Sequence, residues 1–222
     1  NGFLVNTETV SQDELIDEIN KENYEVILVR SATKIRKDVI DSCPNLKIIG
    51  RGGVGMDNID VKYAKEKNIE VINTPAASSS SVAELVFAHL FGMVRYLFMS
   101  NRQMPMEGDT NFKDLKKSFS AGTELANKTR GIIGFGRSGK QVARIAIGIG
   151  MKVLAHDKYI KEGNITLNFF NGEKKTFTIE TSDLDKVLKN SDFVTIHVPM
   201  VDDKAIIGAE EIGLMKTGAG II

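Results

Sequence analysis

Apolar residues in this chain come in short β-branched blocks that alternate with longer amphipathic stretches. Val26-Ile27-Leu28-Val29 is the first block, closed by Arg30-Ser31-Ala32-Thr33. Leu46-Lys47-Ile48-Ile49-Gly50 is the second, closed by Arg51-Gly52-Gly53-Val54-Gly55. Ile69-Glu70-Val71-Ile72-Asn73 is the third, closed by Thr74-Pro75. Before the first block, Ser11-Gln12-Asp13-Glu14 reads as a capping box that opens a helix carrying Leu15, Ile16 and Ile19. A further amphipathic stretch runs from Ile59 to Lys67. Short apolar strands separated by helices predict a parallel sheet with covered faces, and the spacing is too wide for hairpins.

After the serine run Ser78 to Ser81, the capping-box pattern recurs in Ser81-Val82-Ala83-Glu84. The helix it predicts, Val82 to Met99, is apolar nearly all round, which predicts burial on more than one side, between domains or at a subunit interface. Residues 100–118 lose the pattern and read as a linker. A second alternating series starts at Thr129. It comprises strands at Gly131–Ile133, Lys152–His156, Phe193–Val198 and Ala219–Ile222, with helices at Gly139–Ile149, Leu184–Lys189 and Ile212–Lys216. Alternating Phe and Thr between Asn164 and Glu180 suggest a hairpin insertion. The fold class is α/β, a doubly wound parallel sheet of Rossmann type with a smaller domain before it. The predicted organisation is a first domain at 1–76, a helix and linker at 77–118, and a second domain at 119–222.

Composition adds exclusions. The chain has 222 residues, 42% hydrophobic and 26% charged, which is ordinary for a globular protein. Lys+Arg and Asp+Glu are both 29, so a formal charge of zero speaks against nucleic-acid binding and against attraction to an anionic membrane. The single cysteine, Cys43, allows no internal disulfide and no cysteine-rich metal site, which fits a reducing, cytoplasmic setting. The opening residues, Asn1 to Glu8, show no leader pattern, and no apolar run is long enough to span a membrane.

The strongest chemical signal is Gly134-Phe135-Gly136-Arg137-Ser138-Gly139, a G-x-G-x-x-G run directly after a strand and opening a helix. Asp157 ends the next strand, ~20 residues on, as a dinucleotide-binding unit requires. Gly134 permits the tight turn, Gly136 lets the backbone approach a diphosphate, and Gly139 lets helix pack on strand. Unpaired N–H groups at the helix start then face the anion. A carboxylate at Asp157 would accept from the ribose hydroxyls and repel a 2′-phosphate, so the expected cofactor is NAD rather than NADP.

Hydride transfer to a 2-oxo acid also needs a cation for the carboxylate and a group that moves a proton. Arg30 and Arg51 stand at strand ends where ligands collect, and Gly52 and Gly53 allow backbone amides near Val54 to approach an anion. Each arginine reads equally well as a solvated surface charge. Among the histidines, His89 reads as a packed or interface residue and His156 as part of the cofactor wall. His197, followed by Val198 and Pro199, reads as lining the nicotinamide side. Sequence logic gives a cofactor site with no catalytic residue assigned and no metal site.

These residues resemble the D-2-hydroxyacid dehydrogenases over essentially the whole chain. The resemblance rests on Val29 to Lys34, Gly50 to Asn58, Asn73-Thr74-Pro75, Val82 to Leu85, Gly122 to Leu125, the glycine run and His197-Val198-Pro199. The first two segments are most similar to the branch acting on 3-phosphoglycerate, the serine-biosynthesis reaction. The resemblance implies a flavodoxin-like substrate domain, a Rossmann domain, and an active site in the cleft between them. It implies substrate contacts from Arg30, Arg51 and backbone near Val54. Cofactor contacts are implied for Val54, Arg137, Ser138, Asp157 and Val198, and a homodimer through the helix at 82–99. Ser138 departs from the aliphatic residue usual in that loop, and Ser78 to Ser81 from a Gly/Asn-like one. The family's catalytic arginine, glutamate and histidine segments have no match within these residues, so the expectation is an inactive fragment of a longer dehydrogenase. The competing expectation is a non-catalytic NAD-sensing regulator on the same scaffold.

Overall fold

The structure, a computed structural model, describes residues 9–199 and 205–222; the opening segment read for a leader lies outside them. The chain divides into two compact units after Ser78.

The first unit runs α1 (Gln12–Lys21), β1 (Val26–Val29), α2 (Lys37–Ser42), β2 (Ile48–Arg51), α3 (Val61–Glu66) and β3 (Glu70–Asn73). Ser11 caps α1 reciprocally with Glu14, as its sequence predicts. The strands are parallel in the order β1-β2-β3, with Val29 opposite Arg51 and Arg51 opposite Asn73. The helix α2 is absent from the sequence reading because it has no side-chain cap and only Val39 and Ile40 to bury. Ile27, Val29, Ile35, Val39, Ile49 and Ile59 form the core. Among the described residues of this unit the expected covering of both sheet faces is incomplete: Leu28 is 76% and Ile72 47% exposed.

The second unit opens with α4 (Ser79–Val94), α5 (Leu97–Glu107) and α6 (Phe112–Phe119). Several expectations change here. The helix starts at Ser79, so Ser81 lies within its first turn and is not the cap. The stretch 100–118 is largely helical rather than a linker; Pro105 and polar composition mask α5, and α6 is fixed by burying Leu115. A break at Tyr96, in the left-handed region at φ 54°, divides the expected single helix. The helix α4 buries one stripe, Ala83, Val86, Phe87, Leu90 and Val94, and leaves Leu85, Phe91 and Met93 exposed. No single helix among the described residues is long and apolar enough to cross a membrane.

The unit continues with β4 (Thr129–Ile133), α7 (Arg137–Gly148), β5 (Lys152–His156), β6 (Glu162–Asn168) and β7 (Lys174–Glu180). It ends with α8 (Leu184–Asn190), β8 (Phe193–Ile196), α9 (Ala209–Leu214) and β9 (Gly220–Ile221). Four parallel strands lie in the order β5-β4-β8-β9, and Thr181 adds a parallel bridge outside β5 at Ala155. The chain winds one way from β4 to β5 and the other way to β8, so a crevice opens at the carboxyl end of β4. One sheet face packs Ile132 on Val142 and Ala146 of α7 and on Phe87 and Leu90 of α4; the other packs Ile133 and Val194 on Leu188. The predicted hairpin is present as the antiparallel pair β6–β7, with Ile165 buried in the core under α7.

Candidate functional site

The glycine run turns the chain from β4 into α7. Gly134 has φ +94°, and a Cβ there would lie 2.7 Å from the carbonyl carbon and oxygen of His197. A Cβ on Gly139 would overlap the carbonyl oxygen of Gly134, so this glycine sets how closely helix and strand approach. Gly136 differs, since a Cβ there meets nothing within 4 Å. It is the N-terminal cap residue of the twelve-residue α7 and supplies no side chain to cap it. The turn is therefore tight on its protein side and open in front of the helix start, where amides of Arg137 and Ser138 stand in the helix's first turn. Arg137 is exposed and Ser138 half-buried.

Asp157, at the end of β5, grips this turn directly. Its Oδ2 accepts from the Phe135 amide at 2.7 Å, and its Oδ1 accepts from the amides of Tyr159 and Ile160, both at 2.9 Å. Burial works against ionisation of this carboxyl, but the amides of Ile160, Tyr159 and Phe135 outweigh it and hold it below the ordinary carboxylate range. Of the about four lone-pair positions of a carboxylate, one on Oδ2 is left for a ligand. Beside it a cleft of about 490 Å³ is lined by His156, Asp157, Lys158, Lys161, Ser182 and Lys186. Its size suits a small-molecule group. His156 Nδ1 is 2.9 Å from the Ser182 carbonyl, which orients the ring.

At the end of β8, His197 Nε2 lies 3.1 Å from Thr195 Oγ1. Burial, and then the charge of Arg130, pushes this histidine down to about 4, so it is neutral near pH 7. Gly134 is packed between the backbone of His197 and Val198 Cγ1, and Pro199 is exposed beyond them. His89 is exposed on α4, not packed in its own unit. Arg130 belongs to none of the motifs named above. It is fully buried, and its three guanidinium nitrogens have no hydrogen-bond partner among the described residues. The available signal is a cation at the head of an otherwise apolar strand.

In the first unit, the register sets Arg51 beside Val29, the residue before Arg30, at the carboxyl ends of β1 and β2. Arg30 is exposed, and its Cγ is the nearest atom, at 3.7 Å, to a Cβ built on Gly52. Gly53 has φ +152°, and the Arg51 guanidinium folds over it. Arg51 Nε is buried without a partner among the described residues. The exposed Val54 is held through its carbonyl by Asn73 Nδ2 at 2.7 Å. Asn58 is a hidden organiser: its Nδ2 donates to the carbonyls of Arg30 and Thr33. Arg30, Arg51, Gly52, Gly53 and Val54 thus share one unit, and Gly134 to Gly139, Asp157, His197, Val198 and Pro199 share the other.

The second unit fits a dinucleotide. The space in front of Gly136, the uncapped helix start and a remaining acceptor on Asp157 match diphosphate and ribose in order. Residues 2–195 match the family described as D-isomer specific 2-hydroxyacid dehydrogenase, catalytic domain. The chain is similar to a hydroxypyruvate reductase of Thermotoga maritima, at 41% identity over 98% of this chain and 65% of that protein. It is also similar to a D-3-phosphoglycerate dehydrogenase of Methanocaldococcus jannaschii, at 38% identity over 96% of this chain and 38% of that protein. A crystal structure of D-lactate dehydrogenase from Aquifex aeolicus, complexed with NAD and lactic acid, superposes with a TM-score of 0.68 at 31% identity. It covers 96% of this chain and 58% of that one. The chain thus spans between about two fifths and two thirds of the length of these proteins. It belongs to the D-isomer specific 2-hydroxyacid dehydrogenases.

Proposed function

We propose that the protein interconverts a D-2-hydroxy acid and its 2-oxo acid with NAD, the pair being 3-phosphoglycerate and 3-phosphohydroxypyruvate. The open Gly136 in front of an uncapped helix, with Asp157 tied to the same turn, carries the cofactor half of this reading. Amides at the start of α7 hold the diphosphate, and Asp157 accepts one ribose hydroxyl through its remaining lone pair. When bound, NAD supplies or takes the hydride. Arg30 and Arg51 at adjoining strand ends carry the substrate half. A carboxylate engages one guanidinium bidentately, and the second suits a phosphate, which an unphosphorylated hydroxy acid lacks. The exposed apolar side of α4 and α5, with Leu85, Phe91, Leu97 and Phe98, serves a homodimer.

One observation favours a second reading, a regulator that senses NAD(H) without turnover. His197, at the end of β8, is held neutral by burial and meets the Thr195 hydroxyl rather than a carboxylate. The deciding experiment follows NADH absorbance with the complete protein and a panel of 2-oxo acids. Turnover fastest with 3-phosphohydroxypyruvate supports the enzyme reading; dinucleotide binding with no turnover on any acid supports the regulator. Asp157→Ala is expected to weaken NAD binding several-fold and relax discrimination against NADP. Unchanged NAD affinity would take this carboxylate out of the site.

A further inference from the structure

Arg130 sits where a charge is costly. It is 0% exposed, on a strand whose neighbours Gly131 and Ile132 are buried, and no carboxylate or carbonyl reaches its guanidinium among the described residues. The nearest compensation is the Phe87 ring of α4, whose centroid lies 5.8 Å from Cζ. A charge kept in such a place acts on its surroundings through a low dielectric, with little screening.

Its surroundings lead to the glycine turn. Arg130 and Ile132 alternate onto the same face of β4, the face packed beneath α4. The register pairs them with Phe193 and Thr195 of β8, so the same face of that strand continues to His197. Thr195 and His197 are joined by their side chains, and the His197 backbone presses on Gly134. The order of the strands assigns the halves of a dinucleotide. Asp157 on β5 takes the adenosine side and Gly134 to Gly139 after β4 the diphosphate. The nicotinamide therefore extends over β8, above His197.

We infer that the buried cation of Arg130, without a hydrogen-bond partner among the described residues, biases this site toward the reduced dinucleotide, so that the chain holds NADH in preference to NAD+. The inference rests on the dinucleotide reading above. NAD+ and NADH differ at the ring by one positive charge, which is lost when hydride is gained. A fixed cation below the ring opposes the oxidised form and leaves the reduced one untouched. At roughly 10 Å, about three residues along a strand, and an effective dielectric constant of about 20, two unit charges repel enough to shift an equilibrium about ten-fold. The field already registers at His197, where it adds to burial in suppressing the imidazolium.

The test is calorimetric titration of the chain with NADH and with NAD+ at one pH and ionic strength. NADH is expected to bind at least about ten-fold more tightly than NAD+. Arg130→Met should reduce that preference about ten-fold, and Arg130→Lys, which keeps the charge, should preserve it. Damage to the fold moves both affinities together, whereas the charge moves only their ratio. Should Arg130→Met not fold, Arg130→Gln, neutral and still polar, replaces it. Equal affinities in the unaltered chain overturn the inference, as does a ratio unchanged by the neutral variant while both ligands bind. A chain that binds neither dinucleotide removes the cofactor reading and this inference together; binding of both with no change in ratio removes the role of Arg130 alone.

Discussion

The turns Gly52–Gly55 after β2 and Gly134–Gly139 after β4 are alike on paper, since each is a glycine cluster closing a parallel strand. Their surroundings differ in kind. In the second, two glycines are pressed by backbone: Gly134 by the His197 carbonyl, and Gly139 by the carbonyl of Gly134 itself. In the first, Gly53 is pressed only by the guanidinium of Arg51, the far end of a flexible side chain. One turn offers an anion its fixed backbone amides and a helix end. The other offers side-chain cations that a substrate can draw out of their resting place. In the function we propose, rigid amides suit the invariant diphosphate of a cofactor, and side-chain cations suit a substrate that enters and leaves.

The largest effect expected from breaking that contrast is at Gly139. Gly139→Ala drives a Cβ into backbone that cannot yield, and the second unit should lose about 3 kcal/mol in denaturant melts. Gly136→Ala, three positions earlier, meets open space and should cost no more than about 1 kcal/mol through poorer capping, while abolishing measurable NADH binding. Equal destabilisation by the two substitutions would erase the distinction between crowded and open glycines. Gly53→Ala should fall between, at roughly 1–2 kcal/mol, because a left-handed backbone is lost but the guanidinium can swing aside.

The smallest effect concerns acid. His197, behind the second turn, has a folded value of about 4 against an ordinary 6.5. Between those values the unfolded chain binds the proton and the folded chain does not, so stability is full above about 6.5 and declines as pH falls toward about 4. Allowing for its partial exposure, the loss is on the order of 1 kcal/mol. Thermal melts of His197→Asn against the parent across that window should differ at neutral pH but converge in acid. A constant difference would show that the histidine is not titrating there.

Much of this could be read from the chain itself. Capping at Ser11, the three strands of the first unit, the strand–glycine–helix passage into α7 and the hairpin at 162–180 all depend on neighbours within a few residues, where periodicity and capping carry the information. The helices at 97–119 escaped because Pro105 and a polar surface leave no local stripe strong enough to announce them. Asn58 was equally hidden, since its two carbonyl partners stand more than twenty residues away.

Sequence alone singled out the residues to which we assign the chemistry: the glycines, the acid at 157, the two arginines and the histidine before Val198. Only the tertiary structure decided what each is free to do. Asp157 has three of its acceptor positions filled by amides, and His197 is stripped of its proton by burial. Arg130, one more charge in a balanced count, becomes a buried cation whose guanidinium has no hydrogen-bond partner among the described residues. Desolvation and hydrogen-bond occupancy are set by atoms brought together from distant parts of the chain, and no local pattern of residue types encodes them.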